Sequence, residues 1–120
     1  MAAEPGDPIV ASHFQELRRG TVVLACLLVL DEPRYGYALL RTLGDAGLDV
    51  EANTLYPLLR RLEKQGFLTS EWDTAEARPS KFYRTSEAGV RLASTLTTEW
   101  IALTGAITSL TDDPTTAEEH

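Results

Sequence analysis

The sequence predicts a mainly α-helical (α+β) protein, a winged helix-turn-helix domain with a C-terminal dimerisation helix. Two observations predict this fold class. The 120 residues fall into three helical segments, two strand-like segments and a last helical segment, which is the winged helix-turn-helix order. Apolar residues then recur along the last helix at alternating spacings of three and four. We divide the chain into a flexible leader (1–12), the winged helix-turn-helix domain (13–85), the dimerisation helix (86–111) and an acidic disordered tail (112–120).

Two predicted helices come first. Residues 14–30 are apolar almost all round in their second half, which is typical of a helix at the centre of a small core. Residues 35–43 form the second predicted helix, because apolar side chains recur there at spacings of four. Gly44 and Gly47 are expected to close it, since glycine readily takes the left-handed conformation that ends helices.

The third predicted helix has an apolar face and a polar face. At about 100° per residue, four leucines fall into one inward-facing stripe, Leu55, Leu58, Leu59 and Leu62. The opposite side holds Asn53, Tyr56, Pro57, Arg60 and Lys64. Proline is tolerated only near a helix start, so we expect this helix to begin within 51–53 and to end at Gly66.

Two short strands form the predicted wing. Residues 67–72 and 81–85 suit β-structure, and the polar loop between them, 73–80, is too long for a two-residue hairpin turn. Ser86 is a good N-cap residue and predicts the start of the last helix.

The polar face of the third helix and the wing are candidates for binding double-stranded DNA. Asparagine hydrogen-bonds to base edges, tyrosine packs on the sugar-phosphate backbone, and arginine and lysine neutralise phosphates. Residues 52–91 contain seven basic and five acidic side chains, so this region is locally positive although the whole chain carries −7. The candidate contacts are Asn53, Thr54, Tyr56, Arg60, Arg61, Lys64, Arg78 and Lys81.

The last helix carries a regular apolar seam. Its members are Ala93, Leu96, Trp100, Leu103, Ile107 and Leu110. A helix of about 25 residues is roughly 37 Å long and must overhang so small a domain, so we predict that the seam joins two copies in a homodimer. Trp100 lies near the middle, where a twofold axis would bring two copies together, and a planar aromatic effector could bind between them. The alternatives are that the stripe folds back on its own domain and that Trp100 only packs.

Composition and motifs exclude several function classes. The single cysteine, Cys26, cannot form an intrachain disulfide, and two scattered histidines cannot complete a zinc site. The longest apolar run, 22–30, is less than half of the roughly 20 residues that cross a bilayer. No catalytic or nucleotide-binding motif is present. We therefore expect a cytoplasmic protein with no enzymatic activity, cofactor, metal or membrane partner.

Three strings of the sequence resemble the PadR-like transcriptional regulators. They are Tyr35-Gly36-Tyr37, Asn53-Thr-Leu-Tyr-Pro-Leu-Leu-Arg-Arg-Leu-Glu-Lys-Gln-Gly66 and Lys81-Phe-Tyr-Arg-Thr-Ser-Glu-Ala-Gly89. The similarity covers residues 14–110, and the single C-terminal helix resembles the short subfamily. The resemblance implies a homodimeric winged-helix repressor that binds a pseudo-palindromic operator and releases it when an aromatic compound or a drug binds.

The resemblance also has implications for two individual residues. In the short subfamily a tryptophan of the last helix stacks on planar ligands at the dimer interface, and Trp100 lies where that tryptophan is expected, eleven residues after Gly89. Glu51 stands where the family often has a small serine at the start of the recognition helix. This departure implies a weaker N-cap and a negative charge close to the DNA phosphates.

Two rival functions remain compatible with the sequence. The first is a winged-helix protein-interaction module, whose partner would be a basic protein surface because the acidic excess lies outside residues 16–98. The second is a DNA-binding regulator without a small-molecule effector, either an activator or an architectural factor. Salt dependence separates DNA binding from protein binding, because phosphate contacts make affinity fall steeply with salt.

Overall fold

The computed structural model describes residues 6–75 and 77–111, and in that part of the chain it contains four helices and one three-stranded antiparallel sheet. The elements are α1 (Pro8–Val29), β1 (Arg34–Tyr35), α2 (Gly36–Asp45), α3 (Ala52–Lys64), β2 (Leu68–Asp73), β3 (Ser80–Thr85) and α4 (Glu87–Thr111). A winged helix-turn-helix followed by a long helix confirms the predicted fold class. Within the described residues, no helix is long and apolar enough to cross a membrane.

Helix α1 begins at Pro8 rather than at residue 14, so residues 8–12 of the predicted leader are helical. The Asp7 carboxylate accepts a hydrogen bond of 2.8 Å from the Ile9 amide, and proline occupies the first helical position. Both features favour a helix start at this position, and both are local to the sequence. Residues 1–5 of the leader and the predicted tail at 112–120 lie outside the described residues.

Helix α2 runs through Gly44 and ends at Asp45, so the expectation that Gly44 closes it is wrong. Gly47 has the left-handed φ of 92° that a helix end requires. Its amide donates to the Gly44 carbonyl at 3.0 Å, and the next amide, that of Leu48, donates to the Leu43 carbonyl at 2.8 Å. This turn leads into the helix-turn-helix connection that sets the direction of α3.

The sheet has the strand order β1–β3–β2. Strand β1 is only two residues long, which is why periodicity did not predict it. In the β2–β3 hairpin Ser70 pairs with Tyr83 and Trp72 pairs with Lys81. Residues two apart on a strand share a face, as do directly opposed residues, so these four side chains lie on one face of the wing.

The core lies between the second half of α1, α2, α3 and the base of the wing. Its largest fully buried side chains are Leu27, Leu30, Leu39, Leu43, Leu55, Leu59 and Leu68. Thr85 ties β3 to the end of α1, because its hydroxyl donates to the Leu27 carbonyl at 2.7 Å and its amide donates to the Leu30 carbonyl at 2.8 Å. The four leucines predicted to face inward from α3 are all buried, so its polar face must point outward.

Helix α4 starts against the chain segment that follows α3. The Ser86 hydroxyl donates to the Gly66 carbonyl at 2.6 Å, and the Ser86 amide donates to the Phe67 carbonyl at 3.0 Å. The Gly89 amide donates to the Ser86 hydroxyl at 3.1 Å, which makes Ser86 the predicted N-cap. Gly89 itself lies so close to the Phe67 carbonyl that any β-carbon there would overlap it. The base of α4 is therefore fixed to the end of α3.

The apolar seam of α4 divides into two parts. Ala93 is 5% exposed and belongs to the core of its own domain, and Leu96 is half-buried against that core. Every residue of α4 from Thr98 onward is exposed. Ala93 is thus an intramolecular core residue rather than the dimer contact we predicted, because it lies where α4 still covers the domain.

Candidate nucleic-acid interface

The outward face of α3 presents a short row of polar and basic side chains. Asn53, Arg60 and Lys64 are exposed, and Pro57 lies among them. Arg60 and Lys64 are four residues apart and therefore lie one helical turn apart on the same side. Glu51 occupies the N-cap position without a side-chain capping hydrogen bond, as its identity implied. The row is accessible along its length, which a groove-binding helix requires.

The other predicted α3 contacts lie on its two flanks. Thr54 and Arg61 are exposed and line a groove of about 660 Å³ between α3 and α1, which Arg18 and Arg19 also border. Tyr56 lies on the opposite flank and is half-buried, since its ring rests on the backbone of Gly36. Tyr56 is therefore partly a packing residue and not a free outward contact like Arg60.

Lys81 of the wing is paired within the protein. Its ammonium lies 3.2 Å from a carboxylate oxygen of Glu63 on α3. It also lies 5.8 Å from the centroid of the Trp72 ring and 5.4 Å from that of Tyr83. The sequence predicts Lys81 as a phosphate contact, and without DNA its ammonium forms this intramolecular ion pair. Arg78, the other predicted wing contact, is exposed in the loop that joins β2 to β3.

A cleft of about 410 Å³ separates α3 from the wing, and we call it the wing cleft. Its walls include Tyr37, Tyr56, Arg60, Trp72 and Lys81. Tyr37 is 60% exposed and Trp72 is 63% exposed, which is unusual for large aromatic side chains. Sequence reasoning missed both as site residues. The alternation in β2 could have placed Trp72 beside Ser70, but the contact of this face with α3, through Glu63, is visible only in the structure.

Asp73 fixes the end of β2 to the start of α2. Its carboxylate accepts hydrogen bonds from the Tyr35 hydroxyl and from the Ala75 amide. The Tyr35 hydrogen bond, followed by that of the amide, holds the pKa of Asp73 below its usual value. The Tyr35 ring stacks on the Tyr37 ring with a centroid distance of 5.5 Å, and it meets the Phe82 ring edge-on with a centroid distance of 5.9 Å. The aromatic wall of the wing cleft is thus held in place by ring contacts and by a carboxylate.

A second surface of functional interest runs along the overhanging half of α4. Its exposed apolar side chains are Trp100 (47%), Ile101 (60%), Leu103 (56%), Ile107 (60%) and Leu110 (80%). On α1, Ile9 and Leu17 are 69% and 78% exposed. Large apolar side chains exposed in such number are typical of a protein interface. Cys26 takes no part, because it is fully buried and burial raises the pKa of its thiol to about 12.

Comparison with known proteins identifies similar chains. Residues 23–94 match the profile of the family described as transcriptional regulator PadR-like. The chain is 37% identical over 77 residues to the transcriptional regulator Rv3488 of Mycobacterium tuberculosis, covering 63% of this chain and 72% of that protein.

Solved structures give the same result over more of the chain. A PadR family transcriptional regulator from Eggerthella lenta is 49% identical with a TM-score of 0.82, covering 90% of this chain and 96% of that one. A PadR-like transcription factor from Bacteroides fragilis is 29% identical with a TM-score of 0.68. The match covers 82% of this chain and 98% of that one.

Proposed function

Because this chain belongs to the transcriptional regulator PadR-like family, we propose that it is a homodimeric repressor that binds a pseudo-palindromic operator and responds to a small-molecule effector. The family consists of DNA-binding transcriptional regulators and not of enzymes, and the same holds for this protein. The repressor role, the homodimeric operator complex and the effector are the proposed part.

The observation that carries the proposal is the exposed row on α3. The apolar stripe of α3 is buried in the core, and among the described residues Asn53, Arg60 and Lys64 form no ion pair or side-chain hydrogen bond that would explain their outward placement. A helix that presents asparagine in its first turn and basic residues further along suits base contacts in the major groove and phosphate contacts beside it. Arg61 and Arg78 extend the same positive surface on either side.

The homodimer is supported by the overhanging half of α4. An apolar stripe that runs from Trp100 to Leu110 would cost about 25 cal/mol for each Å² left in water, and a second copy of the same stripe removes it from water. A twofold dimer presents two copies of α3, and its half-sites should lie about 34 Å apart on one side of the duplex.

A selection experiment tests the DNA-binding function directly. We expect the protein to enrich a pseudo-palindromic sequence from a random pool of duplexes, and we expect the selected duplex to be retarded in a gel at protein concentrations that leave a scrambled duplex free. Affinity for both duplexes should fall with salt, because each neutralised phosphate contributes a slope of about −0.9. A pool that stays random after repeated rounds would contradict the function. The duplex upstream of the protein's own reading frame is the natural second probe.

Trp100 is the proposed effector contact. It is half exposed on α4, and in a twofold dimer two copies could hold a flat ring between them at centroid distances of about 4.5 to 7 Å. We expect planar cationic or phenolic compounds to quench tryptophan emission of the DNA-free parent and to release the selected duplex. Trp100→Ala should lose both responses, while Trp72 remains in that variant as an internal reference. Equal responses in the parent and the variant would make Trp100 a packing residue only.

Trp72 provides a test of the wing cleft. In a Trp100→Phe variant Trp72 is the single tryptophan, and we expect duplex DNA to change its emission because the sugar-phosphate backbone covers an exposed ring. Trp72→Ala should weaken binding roughly tenfold, because it removes the ring surface that packs on the sugar-phosphate backbone. Trp72→Phe is the matched control and should retain most of the affinity. A gel-shifted complex in which Trp72 emission is unchanged would exclude the wing cleft from the interface.

A further inference from the structure

A single carboxylate connects α3 to both strands of the wing. One oxygen of Glu63 accepts a hydrogen bond from the Ser70 hydroxyl of β2, and the other accepts one from the Lys81 ammonium of β3 at 3.2 Å. Ser70 and Lys81 lie seven and eighteen residues further along the chain from Glu63. Glu63 therefore links α3, β2 and β3 through contacts between residues that are distant in the sequence.

The bridge is partly shielded from water. The Glu63 and Lys81 side chains are 32% and 27% exposed, and the rings of Trp72 and Tyr83 lie beside the ammonium. Partial burial strengthens an ion pair relative to a fully exposed one, and hydrogen bonds to charged groups are stronger than neutral ones. In agreement, the Ser70 hydrogen bond and then Lys81 hold the pKa of Glu63 below its usual value. The carboxylate is thus ionised at neutral pH and keeps both partners.

An acidic residue at position 63 does not favour DNA binding through charge. Glu63 follows Arg60 by three residues and precedes Lys64 directly, so it lowers the positive potential of the surface that faces phosphate. The base of the hairpin is fixed elsewhere, through Leu68 in the core and Thr85 on the end of α1. Further out, Asp73 and the pairing of β1 with β3 hold the wing to the start of α2. Glu63 adds the direct polar link from the wing to α3.

We propose that Glu63 is a positioning residue that sets the distance and angle between the wing and the recognition helix, so that both fit one duplex at the same time. The inference rests on the proposed function. It assigns Lys81 a structural role as the wing's anchor, and Arg78, which is exposed in the loop between β2 and β3, remains a candidate phosphate contact. Precise placement matters most for a duplex whose groove shape the protein selects, and least for non-specific binding through charge.

The two possible roles of Glu63 predict opposite changes in the affinity of Glu63→Ala for the selected duplex. If Glu63 acted only as a negative charge, Glu63→Ala would tighten binding to every duplex. As a positioning residue, Glu63→Ala should weaken binding to the duplex that the parent selects by about tenfold, and affinity for the scrambled duplex should stay within about twofold of the parent. The ratio of the two affinities is the quantity to measure, by fluorescence anisotropy at fixed salt.

Matched variants separate charge from geometry. Glu71→Ala removes the same charge from β2, where Glu71 is exposed and lies on the face opposite to that of Ser70 and Trp72, and it should leave the ratio unchanged. Glu63→Gln keeps a side chain that can reach Ser70 and Lys81, so it should restore most of the ratio. Ser70→Ala keeps every charge and removes one hydrogen bond, so it should lower the ratio by about threefold.

The outcomes are distinct. A lowered ratio in Glu63→Ala and Ser70→Ala, with helical circular dichroism and melting temperature near those of the parent, supports the inference. Tighter binding of Glu63→Ala to both duplexes, or an equal loss on both, overturns it. If the parent selects no duplex from the random pool, the proposed function fails instead, so the two failures are distinguishable.

Discussion

Replacing Arg60 and Lys64 together by alanine should weaken duplex DNA binding by roughly 100-fold at physiological ionic strength. Both side chains are exposed on the outward face of α3, and hydrogen bonds to charged groups contribute about 1.5 to 3 kcal/mol each. The loss should be similar for selected and scrambled duplexes, because phosphate contacts carry no sequence information. The plot of log affinity against log salt should become shallower by about 1.8, for two phosphates released.

Arg84→Ala/Arg91→Ala is the matched control for that pair. Arg84 lies on β3 and Arg91 on α4, both exposed and both outside the α3 face, so this double variant changes the net charge by the same amount. We expect it to lose little affinity and to keep most of the salt slope. Equal affinity losses in the two double variants would show that overall charge, rather than this face, governs binding.

Leu103→Asp should convert the proposed dimer into monomers or aggregates. Leu103 is 56% exposed in the single chain and lies within the apolar stripe of α4, so an aspartate there would be buried without a partner in the dimer. We expect the dissociation constant of the dimer to rise by roughly 100-fold or more. Sedimentation at micromolar concentration measures the change. DNA affinity should fall with it, because one winged domain reads only one half-site.

Thr98→Asp is the matched control, because it adds the same charge to α4 on the side of the helix opposite to the apolar stripe. At about 100° per residue, Thr98 lies on the side of α4 away from Leu103, and it is exposed. This variant should remain a dimer. A stable, folded monomer of the parent protein at micromolar concentration would contradict the dimer outright.

Periodicity and glycine placement predicted the helices that face the core. The leucine stripe of α3 is buried as expected, because the helix buries all four leucines only when that face is turned toward the core. Short elements escaped the same reasoning. Strand β1 has two residues and is defined by pairing with β3, and pairing between distant segments leaves no periodic signal. The early start of α1 came from a capping aspartate and a proline, a local signal that was present in the sequence.

A site residue could be predicted from the sequence when its exposure follows from the helix period, and not when its role depends on contacts between distant segments. Exposed residues such as Arg60 and Lys64 follow from the helix period alone. Lys81 does not, because its pairing with Glu63 requires the hairpin register and the approach of the wing to α3. Ala93 fits the heptad spacing yet is buried in its own domain, since spacing cannot show where a helix leaves the domain surface.

The fixed base of α4 makes this helix a lever. Ser86 and Gly89 fasten it to the segment that directly follows α3, through hydrogen bonds of 2.6 and 3.0 Å and a contact that leaves no space for a β-carbon. The 14 residues from Thr98 to Thr111 extend about 21 Å beyond the part of α4 that packs on its own domain. A rotation of the domain by about 5° therefore carries the far end of this overhang through about 2 Å. Conversely, in the proposed dimer a side-chain-sized displacement at the contact between the two α4 helices would turn each winged domain by a few degrees and change the separation of the two α3 helices by ångströms.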